Sequence, residues 1–200
     1  MRVLVTGFEP YWDYTNNSSW AVACEVKKLC ISDVEVIVKQ MPVRFAAVAD
    51  ALKEAVKECQ PDFILMLGQS GGSDRIKLER VALNMMDARL ADNDGIIPDN
   101  QPIDKEGEAA FFTNVPIKEI LSALNDEGIM SKISNSCGLY VCNRLYYEAL
   151  KITKEFPNIV SLFVHLPFYE GQPTAKTGKP TMPITEMIKA ISTIINVIHG

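Results

Sequence analysis

Two hundred residues, 48% hydrophobic and 22% charged, suffice for one ordinary domain with a real core and exclude a disordered chain or a coiled coil. The formal charge of -5 is spread along the whole length without a basic stripe, which argues against a nucleic-acid partner. No apolar run is long enough to cross a bilayer, and the start, MRVLVTG, lacks the features of a secretory signal, so a cytoplasmic location is expected.

In chain order, Arg2 to Thr6 reads as an apolar strand ending at Gly7, Trp20 to Leu29 as a helix and Val34 to Lys39 as a β-branched strand. Phe45, Val48, Ala49, Leu52, Ala55, Val56 and Cys59 recur at three- and four-residue intervals and mark one buried helix face that Pro61 closes. Phe63 to Leu67 is a continuous apolar run, expected of a central strand covered on both faces. Arg75 to Leu83 alternates, Ile117 to Leu124 reads as a helix and Met130 to Ser134 as a short strand. Asn143 to Thr153 is helical, Ile159 to Val164 is another buried strand, and Pro183 to Ile198 is a closing amphipathic helix. Strands alternating with helices predict an α/β fold: a single domain over residues 1–200, with helices on both faces of a mainly parallel sheet. Ligands gather where strands end in such folds, which singles out loops 7–19, 68–74 and 134–143 and the segment after Val164.

Five cysteines at irregular spacing in a reducing compartment do not form a disulfide framework. The reading as small buried apolar residues suits Cys24, Cys30 and Cys59, and packing within a turn suits Cys137. Cys142 differs because a helix opens beside it. The positive end of a helix macrodipole lowers a thiol pKa there.

The chain has only two histidines, and His199 is the penultimate residue. His165 ends the apolar run before Leu166 and Pro167. It is either a structural hydrogen-bonding residue or, if the protein uses a histidine base, almost the only candidate. Glu79 is either a strand carboxylate held near the core or half of a solvated pair with Arg80. No paired-histidine or paired-cysteine pattern suggests a metal, and no cofactor is expected. The glycines from Gly68 to Gly72 lack the lysine of a P-loop and the spacing of a dinucleotide fingerprint.

Four motifs together carry a resemblance: Gly7-Phe8-Glu9-Pro10; Glu79-Arg80-Val81-Ala82 with Asn84; Ser134, Ser136, Gly138 and Tyr140-Val141-Cys142-Asn143; and His165 with Pro167. In order and spacing they resemble the pyroglutamyl peptidase I (pyrrolidone-carboxylate peptidase) family from Val3 to about Gln172. The resemblance implies a three-layer α/β/α fold around a mainly parallel, mixed sheet, often assembled as a homotetramer. It implies a cysteine peptidase that removes N-terminal pyroglutamate from peptides. In it Cys142 is the nucleophile, His165 the base and acid, and Glu79 the carboxylate that orients the base. Arg89, in Asp87-Ala88-Arg89, takes an oxyanion-stabilising role. Phe8, Tyr11, Tyr140 and Val141 are placed along the pyroglutamyl pocket, with Asn17 as side-chain partner and Gln69 as backbone contact of the ring.

The chain departs from the family at Tyr11-Trp12, where Phe-Gly is usual, and at Ser18, where Pro is usual. Lys77 replaces a common Ser or Thr, and Cys137 a usual alanine. These departures leave two alternatives open: a thiol amidase with an altered pocket, and a homologue that binds pyroglutamyl peptides without cleaving them.

Overall fold

The computed structural model describes residues 1–172 and 178–200, so part of the segment expected to be of interest after Val164 lies outside the described residues. Its main sheet has six strands in the order β2, β1, β3, β8, β4, β7. These are β1 (Arg2–Phe8), β2 (Glu35–Met41), β3 (Phe63–Gln69), β4 (Ile76–Glu79), β7 (Ser131–Ser134) and β8 (Val160–Leu166). The first four strands in that order run parallel, while β4 pairs antiparallel with β8 and parallel with β7. The sheet is thus mainly parallel and mixed, as expected.

Strand side chains alternate between two cores. Val3, Val5, Leu65, Leu67, Leu162 and Val164 pack with α1 (Ser18–Val26), α3 (Ile117–Asp126) and α5 (Ile184–His199). Leu4, Ile64, Met66 and Phe163 face α2 (Val48–Cys59) and α4 (Val141–Glu155). Every residue of β3 is buried, so the unbroken apolar run at Phe63–Leu67 is what a doubly covered strand requires. Each buried Leu, Ile or Phe contributes about 1.5–3 kcal/mol relative to its exposed state. None of the described helices is long and apolar enough to cross a membrane.

Several elements differ from the sequence expectation. The alternating run Arg75–Leu83 is broken at Arg80, whose N–H donates to Ser134 O at 2.8 Å and whose carbonyl accepts from Thr113 N at 2.9 Å. Beyond it, β5 (Val81–Leu83) leaves the main sheet and pairs antiparallel with β6 (Ala110–Phe112). The first helix starts two residues earlier than its apolar pattern, because the Asn17 side chain accepts from Ser19 N and caps it.

Gly7 is needed for a close approach between β1 and the first turn of α1. A Cβ there would lie 2.6 Å from Ser19 O and 2.8 Å from Trp20 Cα, both backbone atoms that cannot swing aside. Phe8 N–H donates to Ser19 Oγ at 3.0 Å and holds the same contact. Gly7→Ala is therefore expected to destabilise the fold by about 2–3 kcal/mol, the upper end for an overpacked site, read as a lower urea midpoint at unchanged slope. An unchanged midpoint would show that the contact yields freely.

Candidate active site

The C-terminal ends of β1, β3 and β8 carry Phe8, Gln69 and His165 to one edge of the sheet, where the N-terminus of α4 brings Cys142. Together with Tyr11, Trp12, Asn17, Val43, Cys137, Tyr140 and Val141 they line a cavity of about 180 Å³. Ligand sites in open α/β sheets lie at such strand ends.

Glu79 reaches the same place from the antiparallel neighbour. In the β4–β8 register Lys77 faces His165 and Glu79 faces Phe163, so Glu79 and His165 are diagonal neighbours on one face. Glu79 Oε1 lies 2.8 Å from His165 Nδ1. The alternative of a solvated pair with Arg80 is set aside, because Glu79 is 0% exposed. Its second oxygen, Oε2, is buried with no hydrogen-bond partner. An under-paired buried carboxylate is costly to a fold, and such groups concentrate at functional sites.

An ionised carboxylate can only accept, so opposite one the imidazole donates from Nδ1, which leaves Nε2 as the ring nitrogen turned away from Glu79. The ring is also fixed from behind. It packs on Phe163 with centroids 4.8 Å apart, and a Cβ on Gly68 would lie 3.0 Å from His165 Cδ2.

Cys142 is the second residue of α4, whose first helical residue is Val141. Tyr140 stands at the N-cap without a side-chain hydrogen bond to the helix, while Asn143 N and Arg144 N both turn back to Tyr140 O. The N–H groups of Val141 and Cys142 belong to the set a helix leaves without intrahelical partners, which suits them to an anionic oxygen. Asn143 docks this helix end onto β5: its side chain accepts from Leu83 N at 2.9 Å and donates to Leu83 O and Met85 O.

The expectation of a lowered thiol pKa at Cys142 is reversed. Burial pushes the Cys142 thiol up to about 12 from 9.0, the Glu79 carboxylate adds to this, and only its own backbone N–H opposes. A macrodipole supplies roughly 0.3–1 kcal/mol, too little against desolvation of a thiolate. At neutral pH Cys142 is thus held as a thiol rather than a thiolate. In an ultraviolet titration of parent minus Cys142→Ser, thiolate absorbance is expected to stay near zero up to about pH 9. A full thiolate signal at neutral pH would show an ion pair instead.

The pocket residues divide. Phe8 is buried at 2% exposure, and Tyr140 stacks edge-on against Phe45 with centroids 5.2 Å apart. The added hydroxyl of Tyr11 accepts from Gln69 Nε2 at 3.3 Å, so it does not stand loose in the wall. Gln69 ties loops together through its side chain, accepting at Oε1 from Ser18 N at 2.9 Å and from Gln172 Nε2 at 2.8 Å. Asn17 lines the cavity while its side chain also accepts from Ser19 N and donates to Glu9 O. Arg89 is exposed, and it is not among the residues that line this cavity.

Val43 lies just beyond the end of β2, a position the strand-end rule marks, yet sequence reasoning passed it over. Cys137, read as packing, is buried and lines the cavity beside Cys142. Cys30, expected to be buried, is exposed, because it follows the end of α1 on the way to β2. The motif residues Glu9 and Asn84 hold loops. Glu9 accepts from Val43 N, Arg44 and Asn93, and Asn84 bridges Asp104 and Gly107.

A family model described as pyroglutamyl peptidase matches residues 1–200. Pyrrolidone-carboxylate peptidase 1 of Caldanaerobacter subterraneus is 42% identical over 199 residues, covering 99% of this chain and 98% of its own. The Bacillus cereus pyrrolidone-carboxylate peptidase is 37% identical over 196 residues, covering 98% and 91%. Among solved structures, a mutant pyrrolidone carboxyl peptidase from Pyrococcus furiosus superposes with a TM-score of 0.93 at 34% identity, covering 98% of this chain and 97% of that one. Pyroglutamyl peptidase I of Bacillus amyloliquefaciens gives 0.91 at 34% identity, covering 96% and 93%.

Proposed function

The chain belongs to the pyroglutamyl peptidase family, and from that premise we propose that it is a cysteine exopeptidase that hydrolyses the amide bond after an N-terminal L-pyroglutamyl residue. The observation that carries this reading is the 2.8 Å contact between Glu79 Oε1 and His165 Nδ1 beside a cavity that His165 and Cys142 both line.

The chemistry starts from a Cys142 that rests as a thiol. The substrate's lactam ring occupies the small cavity, whose walls at Phe8, Val43 and Val141 are apolar and whose polar groups at Asn17 and Gln69 are few. As the Cys142 sulfur attacks the pyroglutamyl carbonyl carbon, its proton passes to His165 Nε2. Glu79 stabilises the imidazolium so formed and keeps Nδ1 the protonated nitrogen. The carbonyl oxygen becomes an oxyanion, for which backbone N–H groups at the start of α4 are suited donors. The oxyanion role of Arg89 rests on the family resemblance alone.

When the carbonyl re-forms, the C–N bond breaks and the imidazolium gives its proton to the leaving amine. A thioester on Cys142 remains. Water then attacks it, His165 again takes the proton, and breakage of the C–S bond releases pyroglutamate and restores the thiol. A thiol near 12 fits this sequence, because base and nucleophile act in one step rather than as a preformed ion pair.

The test is amine release from matched L-pyroglutamyl, L-prolyl and L-glutamyl amides in reducing buffer. Cleavage confined to the pyroglutamyl amide is the expected result. Equal cleavage of the prolyl amide would favour an amidase of altered pocket, and no cleavage by folded protein would favour a binding homologue.

A further inference from the structure

Trp12 stands out against the physics of its own backbone. Its φ of 54° lies in the left-handed region, where a bulky L-residue is strained and where glycine would sit without cost. Core packing does not account for it, since the side chain is 49% exposed. The indole is nevertheless held in one place. Its Nε1–H donates to Ala91 O at 3.0 Å, the same carbonyl that accepts from Tyr140 Oη at 2.8 Å. Its ring meets Tyr11 edge-on at 4.7 Å and Tyr140 at 6.0 Å.

So fixed, Trp12 is a wall with two sides. It lines the 180 Å³ cavity that holds Cys142 and His165, and also an open hollow of about 600 Å³ formed with Asp13, Leu90, Ala91, Asp92 and Asn93. The polar groups of that hollow are mostly committed elsewhere. Asp92 accepts from Phe45 N, Asp94 N and Ile96 N, and the Asn93 amide donates to Glu9 Oε1 and Pro10 O. What faces solvent there is the indole, the Leu90 side chain at 53% exposure, the exposed carboxylate of Asp13 and the exposed Asn93, whose amide N–H₂ is already engaged.

We propose that this hollow is the subsite for the residue that follows pyroglutamate, and that it takes a large apolar or aromatic side chain and disfavours an anionic one. The inference rests on the pyroglutamyl reading above. With the lactam in the small cavity and its carbonyl at Cys142, the leaving chain must pass one of the cavity walls, and Trp12 is the wall shared with a hollow large enough to admit a side chain. An aromatic ring there would lie against the indole and Leu90, as ring pairs favour. A carboxylate would face Asp13.

The experiment compares kcat/KM for L-pyroglutamyl-phenylalanine amide, L-pyroglutamyl-alanine amide and L-pyroglutamyl-aspartate amide. The phenylalanine substrate is expected to exceed the alanine one by about tenfold, as a partly open apolar site allows, with the aspartate substrate lowest. In Leu90→Ser, and more so in Trp12→Gly, the phenylalanine-to-alanine ratio should fall towards one. Trp12→Gly suits its backbone conformation, and Leu90 is exposed, so both variants should fold. A parent ratio near one, or a ratio kept by both variants, overturns the subsite while leaving the pyroglutamyl reading intact. If the parent cleaves none of the three, that reading falls and the subsite with it.

Discussion

Replacing Cys142 by serine is expected to lower kcat/KM for an L-pyroglutamyl amide by about 10⁴-fold or more, the scale on which loss of a nucleophile acts in enzymes whose residues work as a unit. The substitution removes one sulfur in favour of one oxygen at a half-buried position in the first turn of α4, so the urea midpoint should barely move. The loss is chemical. A thiol already held near 12 by its surroundings is a demanding proton source for an imidazole base during attack. A serine hydroxyl is a far weaker acid in the same place, and its alkoxide suffers the same desolvation. Activity within tenfold of the parent would mean that another group attacks the carbonyl.

Glu79→Gln should cost about 10⁴-fold in kcat with little change in KM, by analogy with loss of the orienting carboxylate in serine peptidases. On this account the carboxylate, 2.8 Å from His165 Nδ1, keeps the proton on that nitrogen. A glutamine amide can turn its N–H₂ towards that nitrogen, which selects the tautomer with Nε2 protonated and leaves no base for the thiol. Stability separates this from a structural role. Glu79 is fully buried with Oε2 unpartnered, so exchanging a charged group for a neutral one should leave the urea midpoint unchanged or raise it. A variant that loses stability yet keeps its kcat would show that Glu79 serves the fold and not the base.

The sheet was legible where burial alone dictates pattern. Phe63–Leu67 has polar neighbours but no polar member, and only a strand covered on both faces tolerates that. The helix face of Val48, Leu52, Ala55 and Cys59 was legible for the same reason. What alternation could not reveal was the break at Arg80, because one strand and two strands in different sheets share the same period. β6 was missed as well, since three residues carry no periodic signal.

At the site, residue types pointed to Cys142 and His165 and the family resemblance to Glu79, yet no local pattern could decide whether Glu79 pairs with Arg80 or with His165. That choice is made by the register of an antiparallel pair separated by 86 positions in the chain. For the thiol, the helix terminus is visible in the sequence, whereas the desolvation and the nearby Glu79 carboxylate that raise its pKa are not. Trp12 was visible only as an unusual residue. Its meaning depends on a positive φ and on loop 90–93, which the fold places beside it.

The central claim is that acyl transfer passes through Cys142. Its most direct test is rapid acid quench of the parent during turnover of an L-pyroglutamyl amide, followed by peptide mapping by mass spectrometry. A pyroglutamyl group on the peptide that carries Cys142, removable by hydroxylamine as a thioester should be, is the predicted result. Turnover that continues after Cys142 is fully alkylated, or an adduct found on Cys137 instead, would contradict it.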